Sequence, residues 1–367
     1  MESVLYYYLR LLKVERLGIR IARRLIDHFS SIENIFDQNN QAELKRIFGA
    51  NSPFINRILS ISATDENIIQ NEIAFMKKNN IDWMGISEKN YPNQLRQCDD
   101  APLILFCRGK FENWNQKSVA VVGTRKASSY GLQFCTSFIN DIVPYSPIII
   151  SGLAMGIDIK AHNEALCNNL QTIAVMGTSF LTIYPKQHLL QSKAIEQNGL
   201  LVTEYPTWSK PVPELFVRRN RIIAGLSDGV VVVQSPKKGG SLTTAFYANE
   251  YNREVYAVPG RVDDALNEGC MWLVQENRAQ LILSASDLIH DLKWDEEKHF
   301  VTPKAKDYSK LDSEEIKIIE VLKNFDSLHI DDLAFQSNIE MSKLNSLLMM
   351  LEIKDYVKAL PGKHFSL

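Results

Sequence analysis

The chain is 367 residues long, room for two or three domains. Its 45% apolar and 23% charged residues are those of an ordinary soluble globular protein. A net charge of −2 excludes a uniformly basic surface, so any nucleic-acid binding must come from a local patch.

Residues 1–62 read as a helical domain. Leu9, Leu12, Leu17, Ile21, Leu25 and Phe29 recur every three to five positions as one helical stripe, punctuated by Gly18. The SSIEN segment at 30–34 reads as a helix start with Ser31 as its cap. Nine Lys/Arg against six Asp/Glu make this region mildly basic. The early acids and the lack of a cleavage site argue against a signal peptide. Residues 63–117 read as a connecting segment, with Pro92 and Pro102 marking extended stretches.

From residue 118 the pattern changes. Short β-branched runs recur at Val119–Val122, Ile148–Ile150, Thr172–Met176, Leu200–Thr203, Val230–Val233, Val255–Val258 and Leu281–Leu283, with helical stretches between most of them. Continuous apolar strands alternating with helices predict an α/β class. The expected core is a doubly wound, Rossmann-like parallel sheet over 118–292, with a binding crevice at the carboxyl ends of its strands. Residues 293–310 are charged and aperiodic and read as a linker. In 311–367, helices at Glu314–Leu322, from Ile330 and at Met341–Leu351 precede two short strands around Pro361-Gly362, a winged-helix layout. No run of about 18 apolar residues occurs, so no membrane span is expected. The five cysteines (Cys98, Cys107, Cys135, Cys167, Cys270) form no C-x-x-C pair, and the seven histidines lack metal-type spacing. Reduced thiols in the cytoplasm, no metal and no cofactor are the expectation.

The chemistry concentrates in Phe216–Thr244. Arg218, Arg219 and Arg221 precede a buried strand that ends in Lys237-Lys238-Gly239-Gly240-Ser241. Cations and free backbone N–H groups at the end of a buried strand make an anion site. Three further loops end strands: Gly123-Thr124-Arg125-Lys126, the 151–158 loop with Ser151, Gly152 and Gly156, and 177–186 with Tyr184 and Lys186. Neighbouring strand ends converge, so these loops line one crevice. Taken singly, Lys186, Lys237 and Lys238 read as solvated charges, and a glycine after a strand as turn geometry. Gly152 and Gly156 equally suit close helix–sheet packing, and Asp158 equally suits a helix cap or an arginine partner. The three arginines cannot share one face of a helix, and Arg221 suits a buried ion pair. His162 and Glu164 read as a helix face. Phe180, Tyr184, Phe216 and Tyr247 are the candidate stacking surfaces. No G-x-G-x-x-G and no P-loop follow a strand, and no nucleophile, base and orienting group assemble. The crevice reads as built to hold anions without reacting with them.

These residues, in this order, resemble the DprA (Smf) family of DNA-processing proteins. The matching segments are VAVVGTRKASSYG at 119–131, SGLAMGIDIKAH at 151–162, TIAVMGTSFLTIYP at 172–185 and GLLVTEYP at 199–206. They continue with FVRRNRIIAGLSDGVVVV at 216–233, GGSLTTA at 239–245 and REVYAVPG at 253–260. The flanks are similar to that family's N-terminal SAM or helix-hairpin-helix domain and C-terminal winged helix, although Leu17-Gly18-Ile19-Arg20 lacks the second glycine of a full hairpin. The resemblance implies a cytoplasmic, non-enzymatic homodimer that binds and protects single-stranded DNA. It implies loading of the RecA recombinase in natural transformation or recombination, with single-strand-binding protein displaced indirectly. Carried over, the arginine of the G-[ST]-R motif is Arg125, with Thr124 in place of serine. The lysine after the Y-P pair is Lys186, the R-R-N-R cluster is Arg218–Arg221, and the G-S loop is Gly240-Ser241.

Two other readings stay open. A phosphoribohydrolase would need P-G-G-x-G-T-x-x-E, but here Leu242 stands at the third glycine and Phe246 at the catalytic glutamate. The other is a regulatory module that senses a nucleotide or sugar phosphate. Residues 310–367 hold seven lysines, no arginine and ten acids, a poor balance for gripping phosphate, so this module is expected to contact protein or its own chain.

Overall fold

The computed structural model describes residues 2–29, 31–111, 114, 116–295, 311–323, 325, 327–354, 356–360 and 363–366. The chain divides into two compact units, Met1–Val301 and Thr302–Leu367.

In the first unit a nine-stranded sheet forms from β1 (Asp82–Gly85), β2 (Ile104–Gly109), β3 (Ser118–Val122), β4 (Ile148–Ser151), β5 (Thr172–Val175), β6 (Gly199–Thr203), β7 (Gly229–Val232), β8 (Glu254–Ala257) and β9 (Gln280–Leu281). Its order is β1-β2-β6-β5-β4-β3-β7-β8-β9. Strands β3 to β9 run parallel, while β2 adds antiparallel to β6 and β1 adds antiparallel to β2. From β3 the chain builds outward through β4, β5 and β6, then returns to place β7 on the other side of β3. That reversal is the switch point at which open α/β sheets form their crevice.

The unbroken apolar runs follow from burial on both faces. Along β3, Val119 and Val121 pack into one core, while Ala120 and Val122 face the other. The second core also contains the helix Ser129–Ile142 and Trp294. Trp294 is buried, and its carbonyl accepts from Lys117 Nζ at 2.9 Å, so the first unit continues through the start of the expected 293–310 linker. Residues 296–310 of that linker lie outside the described residues.

The first core runs on into the helices Glu2–Lys13 and Ile19–Phe29 and their neighbours up to Leu59. The expected single stripe is broken, because a turn at 14–18 separates these two helices and leaves Ile21 exposed. Ser31 caps no helix: its hydroxyl donates to Glu33, and a short 3-10 helix, Glu33–Phe36, starts after Ile32. Residues 63–117 do more than connect. They contribute the helix Ala63–Lys78 and both antiparallel strands.

The second unit is a winged helix. The helices Ser313–Leu322, Ile330–Ser337 and Met341–Ile353 pack on a sheet ordered β10-β12-β11, made of β10 (Leu328–His329), β11 (Lys358–Leu360) and β12 (His364–Ser366). Its core contains Ile318 and Leu322 from the first of these helices, Leu333 from the second, and Leu344, Leu348 and Leu351 from the third. Along the first and third helices their spacings of three and four are those of a buried helical stripe. The expected Pro361-Gly362 turn lies outside the described residues.

Candidate functional site: a cationic cleft at the strand ends

The loops after β3 and β7 meet at the switch point. Thr124 N–H donates to the Gln234 carbonyl at 2.8 Å, and the Gln234 side chain accepts from Ser128 N–H at 3.0 Å. Between these loops and the helix Pro213–Gly225 opens a cleft of about 860 Å³. A smaller pocket, edged by Met155, Met176 and Tyr184, adjoins it and shares Arg125, Phe216 and Arg219.

Seven of the sequence-derived site residues line this cleft: Gly123, Thr124, Arg125, Lys126, Arg219, Gly240 and Ser241. Arg125 and Lys126 are exposed on the β3 loop. The helix Gly240–Glu250 begins at the opposite wall, and Gly239 gives its first turn no side-chain cap. Its orphan N–H groups and positive dipole end therefore favour an anion there. The Ser241 hydroxyl is spoken for, donating to Ser235 Oγ at 2.8 Å, so Ser241 offers backbone and not side chain.

Arg219 forms the floor. It is only 5% exposed, donates to the Val175 carbonyl, and its Nε has no partner among the described residues. Burial pulls its guanidinium below the usual value, with the Asp158 carboxylate opposing that effect. Burial likewise pushes Asp158 above the usual carboxylate range, with Arg219 opposing. A cation this desolvated attracts a phosphate more strongly than a solvated one. Gly152 makes room for it, since a Cβ there would lie 2.6 Å from both terminal guanidinium nitrogens.

The remaining expected contacts stand elsewhere. Arg221 is 2% exposed and faces away from the cleft, paired with Glu204 at 2.5 Å, so it is a structural ion pair and not a ligand contact. Ser151 is buried beneath the cleft, donating to the Val121 carbonyl at 2.6 Å. Gly156 adopts φ 78° at the start of the helix Ile157–Cys167, where any Cβ would strike the Thr124 carbonyl; its role is packing. Arg218, Lys186, Lys237 and Lys238 are exposed but do not line the cleft. Of the candidate stacking rings, Tyr184 and Phe216 line it, edge to face at 5.2 Å, with Tyr184 52% exposed. Phe180 is buried under Arg108, and Tyr247 stacks on Tyr251. The Pro211-Val212-Pro213 wall and Asn220 were not foreseen. The two prolines just before the arginine cluster were the available signal.

His162 is fully buried below the cleft, between Thr172 Oγ1 at 2.7 Å and the Gly152 carbonyl at 2.6 Å. Glu164 pairs with Lys160 at 2.5 Å. Burial lowers the His162 pKa from 6.5 to about 4, so the folded protein keeps it neutral where the unfolded chain protonates. The unfolded state then binds more protons between those values, and stability falls as pH drops from 6.5 towards 4. His162 is expected to account for about 2–3 kcal/mol of that loss. Urea unfolding at pH 7 and pH 4.5 checks this, since His162→Gln should flatten the difference; an unchanged pH dependence would refute it.

A doubly wound sheet with a cationic cleft at its switch point, in a chain that also carries a winged helix, defines a Rossmann-like α/β protein. The chain belongs to the DNA recombination-mediator protein A family, whose model matches residues 82–293. The DprA winged helix domain matches residues 302–363. The chain is 34% identical over 293 residues to Protein Smf of Synechocystis sp., covering 78% of this chain and 72% of that one. It is similar to the X-ray structure of DNA processing protein A from Streptococcus pneumoniae, with TM-score 0.68 and 33% identity over 78% of this chain and 97% of that one. A structure describing the single-stranded DNA binding mode of DNA processing protein A from Helicobacter pylori matches with TM-score 0.53 and 29% identity, over 59% of this chain and 96% of that one. Family and fold class are those the sequence motifs indicated.

Proposed function

We propose that this chain binds single-stranded DNA in the cationic cleft, protects it, and loads RecA onto it in natural transformation or recombination. It acts as a cytoplasmic homodimer without catalysis of its own, and single-strand-binding protein is displaced in the process. The observation that carries the reading is the desolvated Arg219 beneath exposed Arg125, facing an uncapped helix end and flanked by Tyr184 and Phe216. Cations tracking phosphates beside stacking rings are what single-strand binding without sequence preference requires. The likeness to the Helicobacter pylori protein, described by its single-strand binding mode, supports it. We assign direct phosphate contacts to Arg125, Lys126 and Arg219 and to the backbone around Gly123, Thr124, Gly240 and Ser241. Arg218, Lys186, Lys237 and Lys238 extend the positive field, and Gly152 and Gly156 shape the floor. The helical 1–62 region, the 63–117 segment, the 118–292 core and the 311–367 winged helix are taken as the working domains.

Fluorescence anisotropy of a labelled single-stranded oligonucleotide against a duplex of equal length, across a salt series, tests the reading. Salt-sensitive preference for the single strand is expected. Equal weak binding to both, or none, refutes it. RecA filament growth on a strand pre-coated with single-strand-binding protein then tests loading.

The winged helix is assigned to protein contacts. Its helix Met341–Ile353 exposes Met349 and Met350, and Lys343, the lysine on its exposed side, pairs with Glu314 at 2.6 Å. Isolated 311–367 is expected to show no DNA binding at micromolar concentration and physiological salt; measurable binding there would overturn the assignment.

A further inference from the structure

The helix Ala63–Lys78 touches the loop that leads into the cleft. Residues 204–212 leave β6, pass the helix Ala63–Lys78, and run through Pro211 and Val212 into Pro213–Gly225, which carries Phe216 and Arg219. On Ala63–Lys78, Glu72 is 3% exposed. Its Oε2 accepts from the Thr207 N–H at 2.9 Å and also from the Thr207 hydroxyl. Thr207 is its one hydrogen-bonding residue among the described residues. Burial pushes the Glu72 carboxyl above its usual range, and only Thr207 opposes that shift, with no cation contributing. The next residue, Trp208, lies 5.5 Å beneath Lys13 of the helix Glu2–Lys13, and Lys13 pairs with Asp65 at 2.7 Å.

A carboxylate buried against neutral donors alone is less favourable than a well-packed apolar side chain. What Glu72 provides that an apolar residue cannot is a fixed position for the Thr207 backbone. Four residues on, that backbone becomes the Pro211–Pro213 wall of the cleft. Sites held within fractions of an ångström need such supporting contacts.

We propose that Glu72 is a positioning residue for strand binding: through Thr207 it fixes the 204–212 loop, and with it the cleft wall and the entry of the helix bearing Arg219. The inference rests on the strand-binding reading above, and it makes the helix Ala63–Lys78 a brace for the cleft without direct contact to the strand.

The test measures single-stranded oligonucleotide affinity of the full chain, well below its melting temperature. Glu72→Ala is expected to bind about tenfold more weakly, or about 1.4 kcal/mol. Glu72→Gln, which keeps an acceptor oxygen in place, should stay within about twofold of wild type. Thr207→Val should weaken binding, and adding it to Glu72→Ala should bring no further loss, because both act through one contact. A wild type that binds while Glu72→Ala binds equally well overturns the positioning role alone, whatever its melting temperature. A Gln variant as weak as the Ala variant, or fully additive losses, overturns it too. Should Glu72→Ala fail to fold, unchanged affinity of Thr207→Val overturns it. A wild type that binds no strand removes the strand-binding reading and this inference together.

Discussion

Replacing Arg221 with alanine is expected to destabilise the first unit by about 3–5 kcal/mol, because it breaks a buried ion pair on one side only. The guanidinium donates to Glu204 Oε2 at 2.5 Å and to the Asp100 carbonyl at 2.6 Å. Asp100 is held in turn by the Tyr251 hydroxyl. Burial works against the Arg221 charge, but Glu204 and Asp100 outweigh it and raise its pKa. Without the arginine, Glu204 is left nearly buried with no cation, and its Oε1 already lacks a partner among the described residues. The diagnostic is the double variant Arg221→Met with Glu204→Leu, which should recover much of the loss because neither charge is then orphaned. Urea midpoints of the single and double variants decide it. A single-variant loss below about 1 kcal/mol, the range of exposed pairs, would refute the assignment.

The companion expectation concerns binding. Arg125→Ala combined with Arg219→Gln should weaken single-strand affinity by about a hundredfold or more. Each lost charge-assisted contact counts for about 1.5–3 kcal/mol, and tenfold corresponds to about 1.4 kcal/mol. Each lost phosphate contact should also flatten the slope of log affinity against log salt by about 0.7, so the pair should flatten it by about 1.4. Arg125→Ala alone should leave stability within about 0.5 kcal/mol, since that side chain is exposed. A double variant with wild-type affinity and slope would show that the strand lies elsewhere.

Arg219 and Arg221 stand two positions apart on one helix, and their division of labour shows what the sequence could and could not reveal. That they cannot face the same way follows from helical periodicity. Which one turns to the cleft depends on Glu204 and Asp100, which come from distant segments. The parallel strands were legible because burial on both faces demands unbroken β-branched runs, as in Val119–Val122 and Val230–Val233. Strand β1 was not, because Asp82-Trp83-Met84-Gly85 contains no β-branched residue and takes its shape from pairing with β2. The loops after β3 and β7 could be placed together from the doubly wound pattern alone. The buried state of Ser151 could not, since it reflects side-by-side contacts of segments that local sequence does not encode.

The reversal of strand order at β3 also governs when the cleft can exist. The Thr124 N–H donates to the Gln234 carbonyl, which lies far along the chain, and that pairing brings the two halves of the site together. Contacts so distant along the chain form late, after the loop between them has been closed. A nascent chain that has emerged only through β6 therefore carries Arg125 but neither Arg219 nor the Gly240 helix end. During synthesis, the capacity to hold a strand arrives abruptly with the last third of the first unit.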